Sequence, residues 1–246
     1  VRVNIVQIAT AKLPHGVERV RVLQLSDIHL SDSIGPAELR KIEAKVRELR
    51  PDIIAVTGDL VDTNMAKRTE DAKILRELPA THGKYAVMGN HEYYRGLDNS
   101  RKFMRESGLE ILENRAVLDK SGIIVAGIDD PVMPRNPQAP ANTVKLLKRQ
   151  EQGRFVLLLK HRPYVEQNEI GLFDLQLSGH THGGQIWPGT MFAKRANRDV
   201  EQGLSELAAK AGRSLLYVSN GVGYWGPPMR FMAPPEITVF DLVRAN

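Results

Sequence analysis

Five of the seven histidines in this chain, His29, His91, His161, His180 and His182, stand just after short apolar runs, in the company of Asp27, Asp59 and Asn90. Residues 20–25 lead into Asp27-Ile-His29, residues 53–56 into Gly58-Asp59, and residues 85–88 into Gly89-Asn90-His91-Glu92. Residues 155–159 lead into His161, and residues 175–177 into Gly179-His180-Thr181-His182-Gly183-Gly184. Carboxylate, amide and imidazole are the oxygen and nitrogen donors that hold divalent metals. The chain has no cysteine, which excludes thiolate metal sites, disulfides and a cysteine nucleophile. Any metal is therefore held by oxygen and imidazole. Taken singly, each piece has a plainer reading. Asp-x-His and Gly-Asp serve as turns, Asn90 builds an Asx turn, and His161 closes a strand. The pair His180-x-His182 is stronger, because alternate residues on an extended segment share one face. The glycines beside it let backbone approach a ligand closely. It is the order of the pieces along the chain that carries weight.

Those polar residues need elements to hold them. Apolar runs of about 4–8 residues, enriched in β-branched side chains, read as buried strands. Residues 123–128, 215–218 and 237–242 add three more. Helical spacing appears over 37–49, through Leu39, Ile42, Val46 and Leu49, with Pro36 suited to the first turn. Residues 71–78 repeat the pattern and stop at Pro79; residues 99–106 form a third helix, capped by Asn99 or Ser100 and stopped at Gly108. A fourth lies over 143–150. Alternation in the first half and strands in the second predict a mixed α/β layer fold. In such sheets ligands sit outside the carboxyl ends of the strands, so the five polar strand ends converge.

Composition agrees. With 42% apolar and 26% charged residues among 246, the chain is globular, and disorder, collagen and coiled coil are excluded. No repeat or Pro/Gly-rich linker divides it, so residues 1–246 read as one domain. The apolar runs are too short to cross a bilayer. A net charge of +5 suits anionic ligands but is not clustered as a nucleic-acid stripe. The start at Val1, without Met, reads as a chain whose natural N-terminus, a signal or a membrane anchor, has been removed.

The series Asp-x-His, Gly-Asp, Gly-Asn-His-Glu, His, Gly-His-x-His, spanning Asp27 to His182, resembles the calcineurin-like metallophosphoesterase family. The tail, Asn220-Gly-Val-Gly-Tyr-Trp-Gly-Pro-Pro-Met-Arg230-Phe with Pro234-Pro-Glu-Ile237, and Gly183-Gly-Gln185 resemble the subgroup that often carries an N-terminal membrane segment. The resemblance implies a four-layer α/β/β/α sandwich of two mixed sheets flanked by helices, with two divalent ions (manganese, iron or zinc) at the strand ends. It places Asp27, His29 and His182 on one ion, Asn90, His161 and His180 on the other, and Asp59 between them. A hydroxide made on the ions would attack phosphorus in line. His91 would be the general acid for the leaving oxygen, a role that suits a side chain titrating near neutrality.

Glu92 is expected to orient an imidazole or form a salt bridge. Arg162 and Arg230 are candidates for holding phosphate oxygens. Residues 221–232 carry Tyr224, Trp225, Met229 and Phe231. They are either a loop tucked under the core or, with Trp187, a wall for an apolar part of the substrate. The implied substrate is a phosphoester or diphosphate, of which a UDP-diacylglucosamine-type pyrophosphate is the most specific option. The alternatives are a nuclease, against which stands the absence of a basic arm, and a non-catalytic scaffold, against which stands the complete set of site residues. An anionic membrane surface is an expected partner of the full-length protein.

Overall fold

Alternation within each apolar run decides which way its side chains face, and two stacked sheets result. The computed structural model describes residues 1–131, 139–186, 189 and 200–245, with only the backbone of 139–142. The strands among them are β1 Arg2–Thr10, β2 Arg19–Leu25, β3 Ile53–Thr57, β4 Gly83–Val87, β5 Glu110–Ile111, β6 Arg115–Leu118, β7 Ile124–Ile128, β8 Val156–Lys160, β9 Leu175–Ser178, β10 Gly203–Ala209, β11 Gly212–Val218 and β12 Glu236–Arg244. The helices are α1 Pro36–Leu49, α2 Thr69–Arg76, α3 Asn90–Tyr94, α4 Leu97–Glu106 and α5 Ala139–Leu147. One sheet has the order β1-β12-β2-β3-β4-β5 and the other β10-β11-β9-β8-β7-β6. Each is mixed: β2, β3 and β4 run parallel, as do β7, β8 and β9, while β12 is antiparallel to β2 and β6 to β7.

Because side chains alternate across a strand, each sheet feeds two cores. Ile53 and Ala55 of β3 meet Leu157 and Leu159 of β8 between the sheets. Ile54 and Val56 turn outward onto Leu39, Ile42 and Val46 of α1 and Ile74 and Leu75 of α2. On the far side Val156 and Leu158 pack with Leu147 of α5. Helices, sheet, sheet and helix make four layers, as the resemblance implies.

Three local readings change. Asn90 to Glu92 do not end a strand but open the short helix α3. The third expected helix begins at Leu97 after Gly96, whose φ of 102° suits glycine, and neither Asn99 nor Ser100 caps it. Ser100 is buried inside α4, its hydroxyl donating to the carbonyls of Glu92 and Gly96. The helix expected over 143–150 starts earlier and ends at Leu147. Among the described residues no helix is long and apolar enough to cross a membrane.

Candidate active site

The loops leaving β2, β3, β4, β8 and β9 are laced together by their backbones. Asp27 N–H donates to Gly58 O (3.1 Å), His29 N–H to Asp59 O (3.0 Å) and Gly179 N–H to His161 O (2.9 Å). Across the sheets, His180 N–H donates to Asp27 Oδ1 at 3.0 Å. Asp27, His29, Asp59, His180 and His182 all have positive φ, between 50° and 70°. Left-handed backbone is uncommon outside glycine, and its concentration here means that the surrounding hydrogen bonds hold these residues against their local preference. Two glycines allow the approach: a Cβ on Gly89 would collide with the Asp59 carboxylate, and one on Gly179 with Ser26 and Asp27.

The polar side chains fall into two joined groups. In the first, His29 Nε2 and His182 Nε2 are 2.9 Å apart, and Asp27 Oδ1 lies 3.5 Å from His182 Nε2. In the second, His161 Nε2 lies 3.2 Å from Asp59 Oδ2, 3.3 Å from Asn90 Oδ1 and 3.2 Å from His180 Nδ1. Asp59 Oδ2 is also 3.8 Å from His29 Nε2, so this one carboxylate spans both groups. His180 and His182 thus point into different groups; their turned backbone, not an extended strand, separates them.

The donor set fits divalent cations. His161 Nδ1 lies 2.8 Å from the carbonyl of Thr57, which can only accept, so Nδ1 carries the hydrogen. Nε2 of the neutral ring then offers a lone pair to a carboxylate, an amide oxygen and another ring nitrogen. Such a convergence needs positive charge at its centre. Without a metal a proton supplies it: burial opposes the imidazolium, but the charge and hydrogen bond of Asp59 push His161 up to about 10. Asp59 is correspondingly held well below the carboxylate range, against the opposing effect of burial. Burial keeps His29 down at about 4 and His180 at about 3, so both present lone pairs at neutral pH.

His91 stands beside these groups. Its backbone N–H donates to Asp59 Oδ1 at 2.9 Å, and its ring lies edge-on to His29 with centroids 4.6 Å apart. Nδ1 is 2.8 Å from Asp62 Oδ1, which also accepts from Arg95 Nε (3.1 Å) and Nη2 (2.9 Å). Asp62 is the residue that sequence reasoning missed. Its signal was a second acid three positions after Asp59 on the same loop.

Glu92 has neither of its expected roles. Its buried carboxylate accepts four backbone N–H groups, from Asp59 (3.0 Å), Leu60 (2.7 Å), Val61 (3.0 Å) and Gly89 (2.6 Å), clamping the Asp59 loop onto α3. Glu92→Gln puts an NH2 against two of these donors. We expect a loss of about 2–6 kcal/mol, since each buried unsatisfied N–H costs about 1–3 kcal/mol. The midpoint of urea unfolding measures it, and an unchanged midpoint contradicts the clamp.

Arg230 is taken up mainly by the protein's own backbone. Four of its five N–H groups donate to the carbonyls of Gly223, Asn220 and His182, and its Nη2 lies 3.1 Å from His182 Nδ1, the nitrogen that carries the ring hydrogen when Nε2 binds a metal. It braces the loop. Arg162 pairs through Nε with the buried Asp130 at 3.0 Å. Tyr224 packs on the α1-side core and donates to Ser33 O at 3.3 Å. Trp225, Met229 and Phe231 are exposed, contrary to the tucked-loop reading, and Trp187 lies outside the described residues.

A two-sheet α/β sandwich with histidine, aspartate and asparagine gathered at parallel strand ends defines a class of metal-binding hydrolases. Residues 20–184 match the model of the calcineurin-like phosphoesterases. The chain is 37% identical to an uncharacterized metallophosphoesterase of Aquifex aeolicus, over 98% of this chain and 91% of that protein. It is 32% identical to a transmembrane protein with metallophosphoesterase domain of Danio rerio, covering 98% of this chain and 57% of that one. Among solved structures, the NAD nucleotidase of Haemophilus influenzae shares the fold with a TM-score of 0.57 at 16% identity, covering 82% of this chain and 50% of that one. The chain belongs to the calcineurin-like phosphoesterase family and is a metal-dependent phosphoester hydrolase.

Proposed function

We propose that the site holds two divalent ions and hydrolyses a phosphoester or diphosphate bond. The observation that carries this reading is Asp59, whose Oδ2 lies within 3.8 Å of His29 and 3.2 Å of His161. Asp27, His29 and His182 would hold one ion and Asn90, His161 and His180 the other, with Asp59 shared. Bound ions supply a water nucleophile at neutral pH and positive charge for the phosphoryl oxygens. Hydrolysis joins a water oxygen to phosphorus, breaks the bond to the leaving oxygen and delivers a proton to that oxygen. His91 is placed for the last task. Because Asp62 is an acceptor, Nδ1 donates to it, and the proton for transfer sits on Nε2 of the imidazolium. Asp62 and Arg95 fix the ring's direction.

Elemental analysis and anomalous scattering after manganese loading are expected to find two ions per chain; at most one under saturating metal overturns the dinuclear reading. Turnover of monoesters, diesters, cyclic nucleotides and nucleotide-diphospho-lipids then separates the substrate classes. Within these, a UDP-diacylglucosamine-type diphosphate is the substrate the subgroup resemblance favours.

The same reading treats residues 1–246 as one catalytic domain and sets the full-length protein at a membrane. Relatives named as transmembrane proteins in Danio rerio and Bos taurus support the second point. Fractionated cells are expected to show the full-length protein in the membrane pellet, and its recovery in the supernatant rejects the assignment.

A further inference from the structure

Two exposed aromatic rings border His91. The rings of Tyr94 and Trp225 have centroids 5.6 Å and 6.2 Å from the His91 ring and meet it at 63° and 74°. Both are more than half exposed, as are Met229, Phe231 and Met232. Exposed aromatic rings of this kind beside a polar site mark a place where something apolar binds.

The loop that carries it is held firmly. Gln185 grips the Trp225 backbone on both sides, accepting from its N–H (2.8 Å) and donating to its carbonyl (2.7 Å). Phe231 N–H donates to Gln185 O at 2.9 Å. Arg230, between them, is tied to the carbonyl of His182 at 2.8 Å. These bonds fix the loop to the segment bearing His180 and His182, yet they use main-chain atoms of Trp225 and Phe231. The side chains are left facing outward. Tyr94, from α3, borders the same histidine.

We propose that this rim, with Tyr94 and Trp225 nearest the chemistry, binds the apolar body of the leaving group, so that the preferred substrates are phosphoesters or diphosphates whose leaving group carries a hydrophobic body. The inference rests on the proposed role of His91. A leaving oxygen that takes its proton from Nε2 must carry its substituent past the rings that border His91. An apolar substituent loses unfavourable contact with water there, whereas a polyol gains nothing.

A series of methyl, butyl and octyl phosphomonoesters and symmetric diesters tests this, because the leaving alcohols have nearly equal acidity and differ in apolar surface. With the manganese-loaded protein, kcat/KM is expected to rise about fourfold for each methylene covered, so that an open rim covering roughly half of the methylenes added between methyl and octyl gives a rise on the order of 10²-fold. Trp225→Ala and Tyr94→Ala should each cut the octyl-to-methyl ratio about tenfold; a general loss of activity cancels in that ratio. Calorimetry gives a readout independent of turnover: octylphosphonate should bind at least tenfold more tightly than methylphosphonate, and Trp225→Ala should erase the difference.

A flat series in an active enzyme, or a slope that survives both substitutions, overturns the proposal. If Trp225→Ala releases the chain from phosphatidylglycerol vesicles while the ratio is unchanged, the rim is a bilayer contact and the proposal is likewise overturned. Absence of turnover for every ester by a protein that holds its ions defeats the proposed reaction instead, and the phosphonate titration still decides the rim.

Discussion

Asp59→Asn is expected to empty both halves of the site at once. The amide keeps the size of the carboxylate and its Oδ1 can still accept from His91 N–H, so the loop retains its shape. What is lost is the negative charge that faces His29 and His161 together. Two cations a few ångströms apart repel strongly unless an anion lies between them. Ion content measured on the purified variant should fall from two to below one, and turnover by a factor on the order of 10³ or more, since bound ions supply several kcal/mol of transition-state stabilisation. His182→Ala and His161→Ala provide the contrast, each weakening mainly one ion. An Asp59→Asn protein that keeps both ions tightly contradicts the shared position.

His91→Ala should leave the ions in place and lower turnover by about 10²–10⁴-fold, the usual worth of a positioned general acid. Its side chain pairs with Asp62 and belongs to neither of the two groups that share Asp59, so both groups keep all their side chains. The loss should grow as the leaving alcohol becomes less acidic, because a nitrophenolate departs without a proton and an alkoxide does not. Asp62→Asn should show the same dependence on leaving group in weaker form, through a misdirected ring. Equal losses for nitrophenyl and alkyl esters would reject the acid role, and a fall in metal content would make His91 a ligand.

Much of this site is visible in the sequence because each of its parts is local. An apolar run ending in a polar residue is a strand followed by its terminal loop, and the strands of open α/β sheets present those loops on one edge. The side chains of Asp27, His29, Asp59, Asn90, His161, His180 and His182, singled out in this way, do come together, although Asn90 opens α3 rather than a loop; α1 and α2 are found by their helical spacing. The local signal misleads where a partner is distant. Glu92 looks like a charge in search of a histidine, yet its four donors come from Gly89 and from the loop some thirty residues earlier in the chain. Arg230 looks like a phosphate ligand in a glycine-rich loop, but main-chain carbonyls surround its guanidinium and take four of its five donors.

Residue types and their order in the sequence therefore carry the mixed α/β layering, the strand-end positions of the polar residues and, through the resemblance of the motif series, the family and its sandwich, since donor chemistry and hydrophobic period act over a few residues. Tertiary structure alone decides how those residues are shared. It pairs β1 with β12 across the whole length of the chain. It sends His180 and His182 into different groups by left-handed turns that no alternation rule foresees. It also brings Asp62 to His91 and turns Trp225 outward beside it, because only packing of distant loops sets which side chain has a partner and which is left facing solvent.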